Sequence, residues 1–234
     1  MHQVRFAEPP SRIGTDLRAM LTAVGQGDDV LGGIGLIGLR LPGLALVIDA
    51  VLVLPRGIVV VSGVDLPGPA VQLVAPAHGS WFVDGWRLVR PGGHPVDGAL
   101  AATGAVGARL GAPGVPELPV SAVVAVGPYV REIVRPNGDG DRPPTVLHPT
   151  PRRLVRAVAD LAKAPARVDV ATAERVLHLL VPRLTLDART LLDEGFAAGD
   201  GTGLHTGDGR GPGTGDGAAP TRPVSRGPAP GGRW

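Results

Sequence analysis

One acidic side chain stands inside the most apolar part of the sequence. Asp49 lies in the segment from Val47 to Gly68, which reads VIDAVLVLPRGIVVVSGVDLPG. A buried carboxylate persists in a protein only when it is paired or hydrogen-bonded, and at an active site it can serve as a ligand of a divalent metal ion. Two interpretations follow: Asp49 is the remnant of a catalytic site, or it is a polar residue satisfied within a sheet.

A literal GxGxxG motif runs from Gly33 to Gly38. Dinucleotide binding requires a strand before these glycines and a helix after them, so that the pyrophosphate meets a helix N-terminus. Here a polar loop precedes the motif, and Pro42-Gly43 ends any helix soon after it. The pattern therefore favours a glycine-containing strand over residues 34–41, and we expect no nucleotide cofactor.

Other residues with chemical potential have simpler structural interpretations. The six histidines show no metal-ligand spacing, and no GxSxG elbow surrounds Ser80 to make it a hydrolase nucleophile. Trp81 and Trp86 could form a stacking platform for bases, but such aromatics more often pack on a sheet. A small basic cluster could contact phosphates, although a solvated helix face is the more common explanation: Arg152, Arg153 and Arg156.

The composition limits the class of protein. The chain has 234 residues, is 44% hydrophobic but only 3% aromatic, contains no cysteine and carries a net charge of +2. Residues 1–127 hold eight Arg against nine Asp and Glu, so they lack the basic surplus typical of nucleic-acid binding. No secretion signal is visible, and no apolar run reaches the roughly 20 residues of a membrane helix. We therefore expect a cytoplasmic protein without membrane contact.

The hydrophobic pattern predicts an α/β fold with a mixed sheet, because several strands are followed by a helix and a further strand. The Asp84-Gly85 pair between two short apolar runs is typical of a β-hairpin. The other predicted elements are a helix over residues 11–24, strands over 34–41, 44–54, 57–62 and 121–126, and a helix that Asp97 opens and Leu110 closes.

Composition changes again in the second half of the chain. After a first domain over residues 1–136, the Pro- and Gly-rich stretch 137–150 is predicted to be a linker. Helical patterns follow in a segment over 151–195, with Asp169 and Asp187 at N-cap positions and Gly195 as the stop. Residues 196–234 contain almost no apolar side chains, which predicts a disordered tail.

The segment around Asp49 resembles the nuclease-related domain (NERD) family, a branch of the PD-(D/E)XK restriction-endonuclease-like fold. Ile48-Asp49 matches the start of the family motif and Pro55-Arg56-Gly57 matches its turn. The second strand of the motif corresponds to Ile58–Val61, and Gly68 falls at the closing glycine without a gap. The resemblance covers about residues 11–130 and implies a restriction-endonuclease-like sandwich with a central mixed sheet.

The departures from the family motif fall on its chemistry. The resemblance implies carboxylates that hold a divalent metal at the scissile phosphate and a lysine that helps activate the attacking water. Asp49 occupies the Asp position, but Ser62 stands at the Glu position and Val64 at the Lys position. The single lysine of the chain, Lys163, lies far from the motif. A lone Asp is a poor site for Mg²⁺, which prefers more anionic oxygen ligands.

Three functions remain open at this point. The first is a catalytically inactive nuclease-like domain that acts as a binding or scaffolding module for a protein partner or nucleic acid, with no cofactor. The second is a divergent metal-dependent nuclease that acts on DNA through Asp49, and Mg²⁺ would be required only in this case. The third is an interaction domain whose helices within residues 151–194 bind a partner.

Overall fold

The computed structural model describes residues 3–6 (backbone only), 19–20, 32–42, 47–90, 93–136, 144–158 and 168–199. Ten strands and four helices are numbered here in chain order. The strands are β1 (Gln3–Phe6), β2 (Ile34–Arg40), β3 (Val47–Leu54), β4 (Gly57–Asp65), β5 (Ala70–Val74), β6 (Phe82–Val83), β7 (Trp86–Arg87), β8 (Val120–Gly127), β9 (Val130–Val134) and β10 (Thr145–Leu147). The helices are α1 (Pro95–Leu110), α2 (Pro151–Val158), α3 (Val170–Leu180) and α4 (Ala188–Asp193).

The central sheet has six strands in the order β1-β2-β3-β4-β8-β10. The strands β2, β3 and β4 form an antiparallel meander, whereas β8 pairs parallel to β4 and β10 pairs parallel to β8. A parallel pair needs a long crossover connection, and α1 lies within the connection from β4 to β8. The mixed α/β architecture predicted from the hydrophobic pattern is therefore confirmed.

The tight turn between β3 and β4 sets the register of the meander. Leu54 pairs with Gly57, so Pro55 and Arg56 form a two-residue loop. The proline cannot donate a backbone hydrogen bond to a ladder, so a turn is a position that suits it. Both flanking strands are apolar on both faces and almost fully buried, as their continuous Val, Leu and Ile runs indicate.

Helices cover the central sheet on both faces. On one face, apolar side chains of α1, α3 and α4 pack with alternate residues of β2, β3 and β4. On the other face, Leu154 and Val158 of α2 and Met20 pack with the intervening residues. Of the predicted helix over residues 11–24, Ala19 and Met20 are helical, and the rest lies outside the described residues. None of the described helices is long and apolar enough to cross a bilayer.

A second, four-stranded sheet in the order β7-β6-β5-β9 adjoins the far end of β4 and β8. Its buried side chains Leu73 and Val130 share a core with Val64, Val124 and the first turns of α1. The predicted hairpin at Asp84-Gly85 connects β6 and β7, and both turn residues have positive φ values, 48° and 84°. The strands β1, β5, β9 and β10 were not predicted.

The structure differs from the predicted domain division. One compact unit spans Met1–Gly199. The predicted linker 137–150 contains β10, which extends the central sheet, and the predicted helical segment 151–195 covers both faces of that sheet. The predicted disordered tail began at residue 196, but Phe196 is buried and Ala197 exchanges backbone hydrogen bonds with Val168 and Val170. Residues 200–234 lie outside the described residues.

One helix boundary also differs. The helix predicted to open at Asp97 begins at Pro95, with His94 as the N-cap and Asp97 in the first turn. Proline is favoured at the first helical position, because its missing N–H has no partner there in any case. The predicted N-caps Asp169 and Asp187 are confirmed, since each carboxylate accepts a hydrogen bond from the backbone amide three residues later.

Candidate functional site

Asp49 lies where two neighbouring strands separate. The pairing of β3 with β4 runs from Leu54 and Gly57 to Ala50 and Val61 and stops there, whereas β4 continues alongside β8 as far as Asp65. The half-buried Asp49 carboxylate fills this opening, and its Oδ2 accepts a hydrogen bond of 2.7 Å from the backbone N–H of Gly63. The Asp49 side chain thereby supplies an acceptor to the Gly63 amide at a point where β3 no longer pairs with β4.

The backbone around Asp49 departs from regular strand alternation. Ile48 and Ala50 are two residues apart, yet they pack into cores on opposite faces of the sheet, and so do Ile37 and Leu39 on the adjacent strand. Residues two apart in a regular strand share one face. Gly38, midway between Ile37 and Leu39, has φ +69°, a conformation that glycine adopts without steric cost. Asp49 thus lies at an interruption of the regular side-chain alternation of β3, opposite a similar interruption at Gly38 of β2.

The two β4 residues that the sequence comparison singled out, Ser62 and Val64, have different surroundings. Ser62 is half-buried and pairs in register with Val124 of β8. Val64 is 1% exposed and packs among Leu66, Val124 and Val126. A lysine at such a position would have to place its ammonium group within an apolar core, which is unfavourable without a partner. The exposed Asp65 follows at the end of the strand.

These residues do not form a recognisable metal centre. Within the described ranges, no group of three or more His, Cys, Asp or Glu side chains could hold a metal ion. The geometry around Asp49 provides one carboxylate that bonds to the main chain of the neighbouring strand. Most of the predicted N-terminal helix, including residues 11–18, lies outside the described part of the chain.

Two described carboxyl groups have clearly lowered pKa values, and both cap helices. Hydrogen bonds from the Thr172 side chain and amide lower the pKa of Asp169, and the nearby Arg175 acts in the same direction against partial burial. Hydrogen bonds from the amide and hydroxyl of Thr190 lower the pKa of Asp187. Both shifts have structural causes and do not indicate a catalytic acid or base.

The remaining predicted candidates fall at separate places. Trp81 is 2% exposed in the core and donates its indole N–H to the Pro76 carbonyl at 3.1 Å, whereas Trp86 is 82% exposed. The two tryptophans therefore do not form one stacking platform. The arginines of α2 are exposed while Leu154 and Val158 of the same helix are buried, which is the pattern of a solvated helix face: Arg152, Arg153 and Arg156.

A cleft that the sequence did not predict opens beside the N-terminus of α1. Its volume is about 600 Å³, and three separate segments line it, residues 78–81, 87–90 and 93–97. The sequence signals were present, because His78-Gly79-Ser80, two arginines and His94-Pro95 occur within 20 residues, but nothing local showed that they converge. None of Asp49, Ser62 and Val64 lines this cleft.

No protein-family model, curated protein or solved structure shows a significant match to the chain. The geometry of the chain itself is therefore the basis for inferring its function.

Proposed function

We propose that the Met1–Gly199 unit is a catalytically inactive, nuclease-like domain of the restriction-endonuclease-like type that acts as a binding or scaffolding module. The proposal rests on what the residues at the three motif positions do in the structure. Asp49 bonds to the Gly63 amide, Ser62 replaces the acidic partner, and Val64 lies buried among apolar side chains. Each position serves the packing of the sheet.

The order of elements supports the proposed fold type. A helical segment at Ala19 and Met20 precedes three antiparallel strands, and the predicted hairpin, the helix α1 and the strand β8 follow in the sequence that the family resemblance implies. The turn Pro55-Arg56-Gly57 falls between β3 and β4, as the motif requires.

The rate expected of such a site is also low. A positioned acid or base contributes about 10²–10⁴-fold to a reaction rate, and a Val side chain cannot supply that group at position 64. Mg²⁺ usually requires carboxylates together with water and substrate oxygens in octahedral geometry. The proposed partners are therefore molecules that the domain binds, a protein or a nucleic acid, and not substrates that it cleaves.

Metal binding and plasmid nicking test the proposal directly. The full chain is titrated with MgCl₂ and MnCl₂ by calorimetry and incubated with supercoiled plasmid, beside Asp49→Ala, Asp49→Asn and Asp65→Ala. We expect no saturable metal binding and no nicking from any of the four proteins. Nicking that requires Mg²⁺ or Mn²⁺, disappears in Asp49→Ala and persists in Asp65→Ala would overturn the proposal in favour of the divergent nuclease.

The same variants measure the structural role of Asp49. Removing the carboxylate leaves the Gly63 amide without this acceptor, so Asp49→Ala should lower the free energy of unfolding by about 1–3 kcal/mol. Asp49→Asn retains an oxygen acceptor and should recover most of that loss in urea denaturation. The exposed Asp65→Ala control should stay within about 0.5 kcal/mol of the parent protein.

A further inference from the structure

The cleft beside α1 has the volume of a small-molecule site. Its volume of about 600 Å³ lies within the range of roughly 300–1,000 Å³ that ligand pockets occupy. Trp81 is held in place by its hydrogen bond to the Pro76 carbonyl and by packing in the core. Leu88 also packs against that core, so one wall of the cleft is anchored to the folded interior.

The charged groups around the cleft favour an anion. Arg87 and Arg90 line it, and Asp97 is the one carboxylate among the described lining residues. Arginine stays protonated at all relevant pH values and presents a planar fork of donors that matches phosphate and carboxylate oxygens. The exposed His78 adds imidazole nitrogens that can donate to the same kind of ligand.

The start of α1 adds to this preference. His94 is the N-cap but makes no side-chain capping bond, and Pro95 at the next position has no N–H. The first intrahelical bond joins the Gly98 amide to the His94 carbonyl, so the first-turn amides of Val96 and Asp97 have no acceptor within the helix. The positive end of the helix dipole therefore faces the region that the two arginines border.

His94 forms part of the wall of the cleft and is partly buried. Both of its ring nitrogens are buried and have no hydrogen-bond partner among the described residues. The ring contacts Trp81 edge-on, with 6.1 Å between the ring centroids and an interplanar angle of 86°. Buried polar atoms in native proteins are nearly always paired with protein, water or a bound group. The residue lines the cleft, but its ring nitrogens are closed off from it, so His94 shapes the wall and does not donate to a group bound there.

We propose that this cleft binds a small organic phosphate, with Arg87 and Arg90 as the recognising side chains. A phosphate group offers three acceptor oxygens and a charge near −2, which suits two guanidinium forks and a helix N-terminus better than a single carboxylate does. The organic part would cover Val89, which lines the cleft and is 83% exposed. The inference goes beyond the proposed function and is independent of it.

Calorimetry with defined probes tests the proposal. The full chain is titrated with phenyl phosphate, inorganic phosphate and benzoate, and the expected order of affinity is phenyl phosphate, then inorganic phosphate, then benzoate. Arg87→Gln and Arg90→Gln should each weaken phenyl phosphate binding about 10- to 100-fold, because a charge-assisted hydrogen bond is lost. Arg153→Gln makes the same substitution on the exposed face of α2 and should leave the affinity unchanged.

Three results would overturn the proposal. One is the absence of binding by phenyl phosphate up to 10 mM, a concentration of about 10 times a millimolar dissociation constant. Another is binding that Arg153→Gln weakens as much as the cleft variants do. The third is tighter binding of a short DNA duplex that Arg87→Gln abolishes, which would assign the cleft to a nucleic-acid backbone. Arg87 is exposed, so its variant should fold normally and keep the test decisive if Arg90→Gln unfolds.

Discussion

A single carboxylate fixes the start of α3. Asp169 Oδ1 accepts a hydrogen bond of 2.7 Å from the Thr172 amide, which would otherwise lack a partner within the helix. Asp169→Ala should lower the free energy of unfolding by about 0.5–1 kcal/mol, the lower part of the range for N-caps, because solvent screens this partly exposed group. Urea denaturation at pH 7 measures the loss, and Asp169→Asn, which keeps a capping oxygen, should recover most of it.

The contribution of Asp169 should also depend on pH. Hydrogen bonds from Thr172 hold the pKa of Asp169 below its usual value in the folded protein. The stability that this shift provides is fully present above the unfolded pKa of about 3.9 and is lost as pH falls through the lower folded pKa. The stability advantage of the parent protein over Asp169→Asn should therefore shrink between pH 5 and the acid limit of folding, because Asn does not titrate. An advantage that stays constant over this range would contradict the assignment.

At the residue scale, the sequence identified the polar side chains that make structural hydrogen bonds. It identified their partners only where those partners are close in sequence. The N-caps Asp169 and Asp187 follow a local rule, since the acceptor and the amide are three residues apart. One partner of Asp49 is the Gly63 amide, fourteen residues away on the next strand, at a point where two strands separate. A polar residue in an apolar strand was evident from the sequence, whereas the separation of the strands depends on the whole sheet.

At the scale of elements, apolar content decided what the sequence could predict. The strands β3, β4 and β8 are Val-rich apolar runs, largely buried on both faces, and each was predicted. The strands β5 and β9 carry polar or exposed side chains at two of their five positions, and β10 has three residues within a Pro-rich stretch. Pairing with neighbours, and not local propensity, makes these segments strands.

Replacing glycine by alanine should stabilise the protein at Gly104 and destabilise it at Gly85, although neither site is crowded. A Cβ placed on Gly104 or on Gly85 would meet nothing within 4 Å, but Gly104 lies inside α1 whereas Gly85 has φ +84°. Gly104→Ala should raise the free energy of unfolding by about 0.5–1 kcal/mol, because alanine favours the helix and restricts the unfolded chain. Gly85→Ala should lower it by about 1–2 kcal/mol, because a Cβ strains the left-handed turn.

Thermal and urea unfolding of the two glycine variants distinguish backbone conformation from packing. Destabilisation of Gly104→Ala, or an unchanged stability of Gly85→Ala, would contradict the assignment of the two effects to backbone conformation, since a Cβ would be crowded at neither site. The hairpin has a further restraint, since the Asp84 carboxylate accepts hydrogen bonds from the amides of Val71 and Gln72 on β5. Gly85→Ala should therefore loosen the second sheet as well as the turn.

At the scale of the whole molecule, the sequence and the structure place the end of the folded unit differently. The Pro- and Gly-rich composition of residues 137–150 suggested a boundary, since such segments often separate domains. In the structure, the chain passes through this segment to add β10 to the sheet and then covers both faces with α2, α3 and α4. Local composition cannot show that a short Thr-Val-Leu run pairs with β8, because that pairing exists only once β8 is placed.

The two possible ends of the domain predict opposite behaviour of two fragments. Ending the chain at residue 136 removes the apolar side chains that fill both cores, namely Leu154, Val158, Val176, Leu177, Leu180, Leu191 and Phe196. Each such side chain contributes about 1.5–3 kcal/mol on burial, so their loss, roughly 10–20 kcal/mol, exceeds or matches the 5–15 kcal/mol stability of a typical domain. Fragment 1–136 should therefore show no cooperative unfolding transition by circular dichroism, and fragment 1–199 should unfold with the midpoint of the full chain. A cooperative transition in fragment 1–136 would instead support a domain boundary at residue 136. The helices after residue 150 would then be free to act as a partner-binding segment.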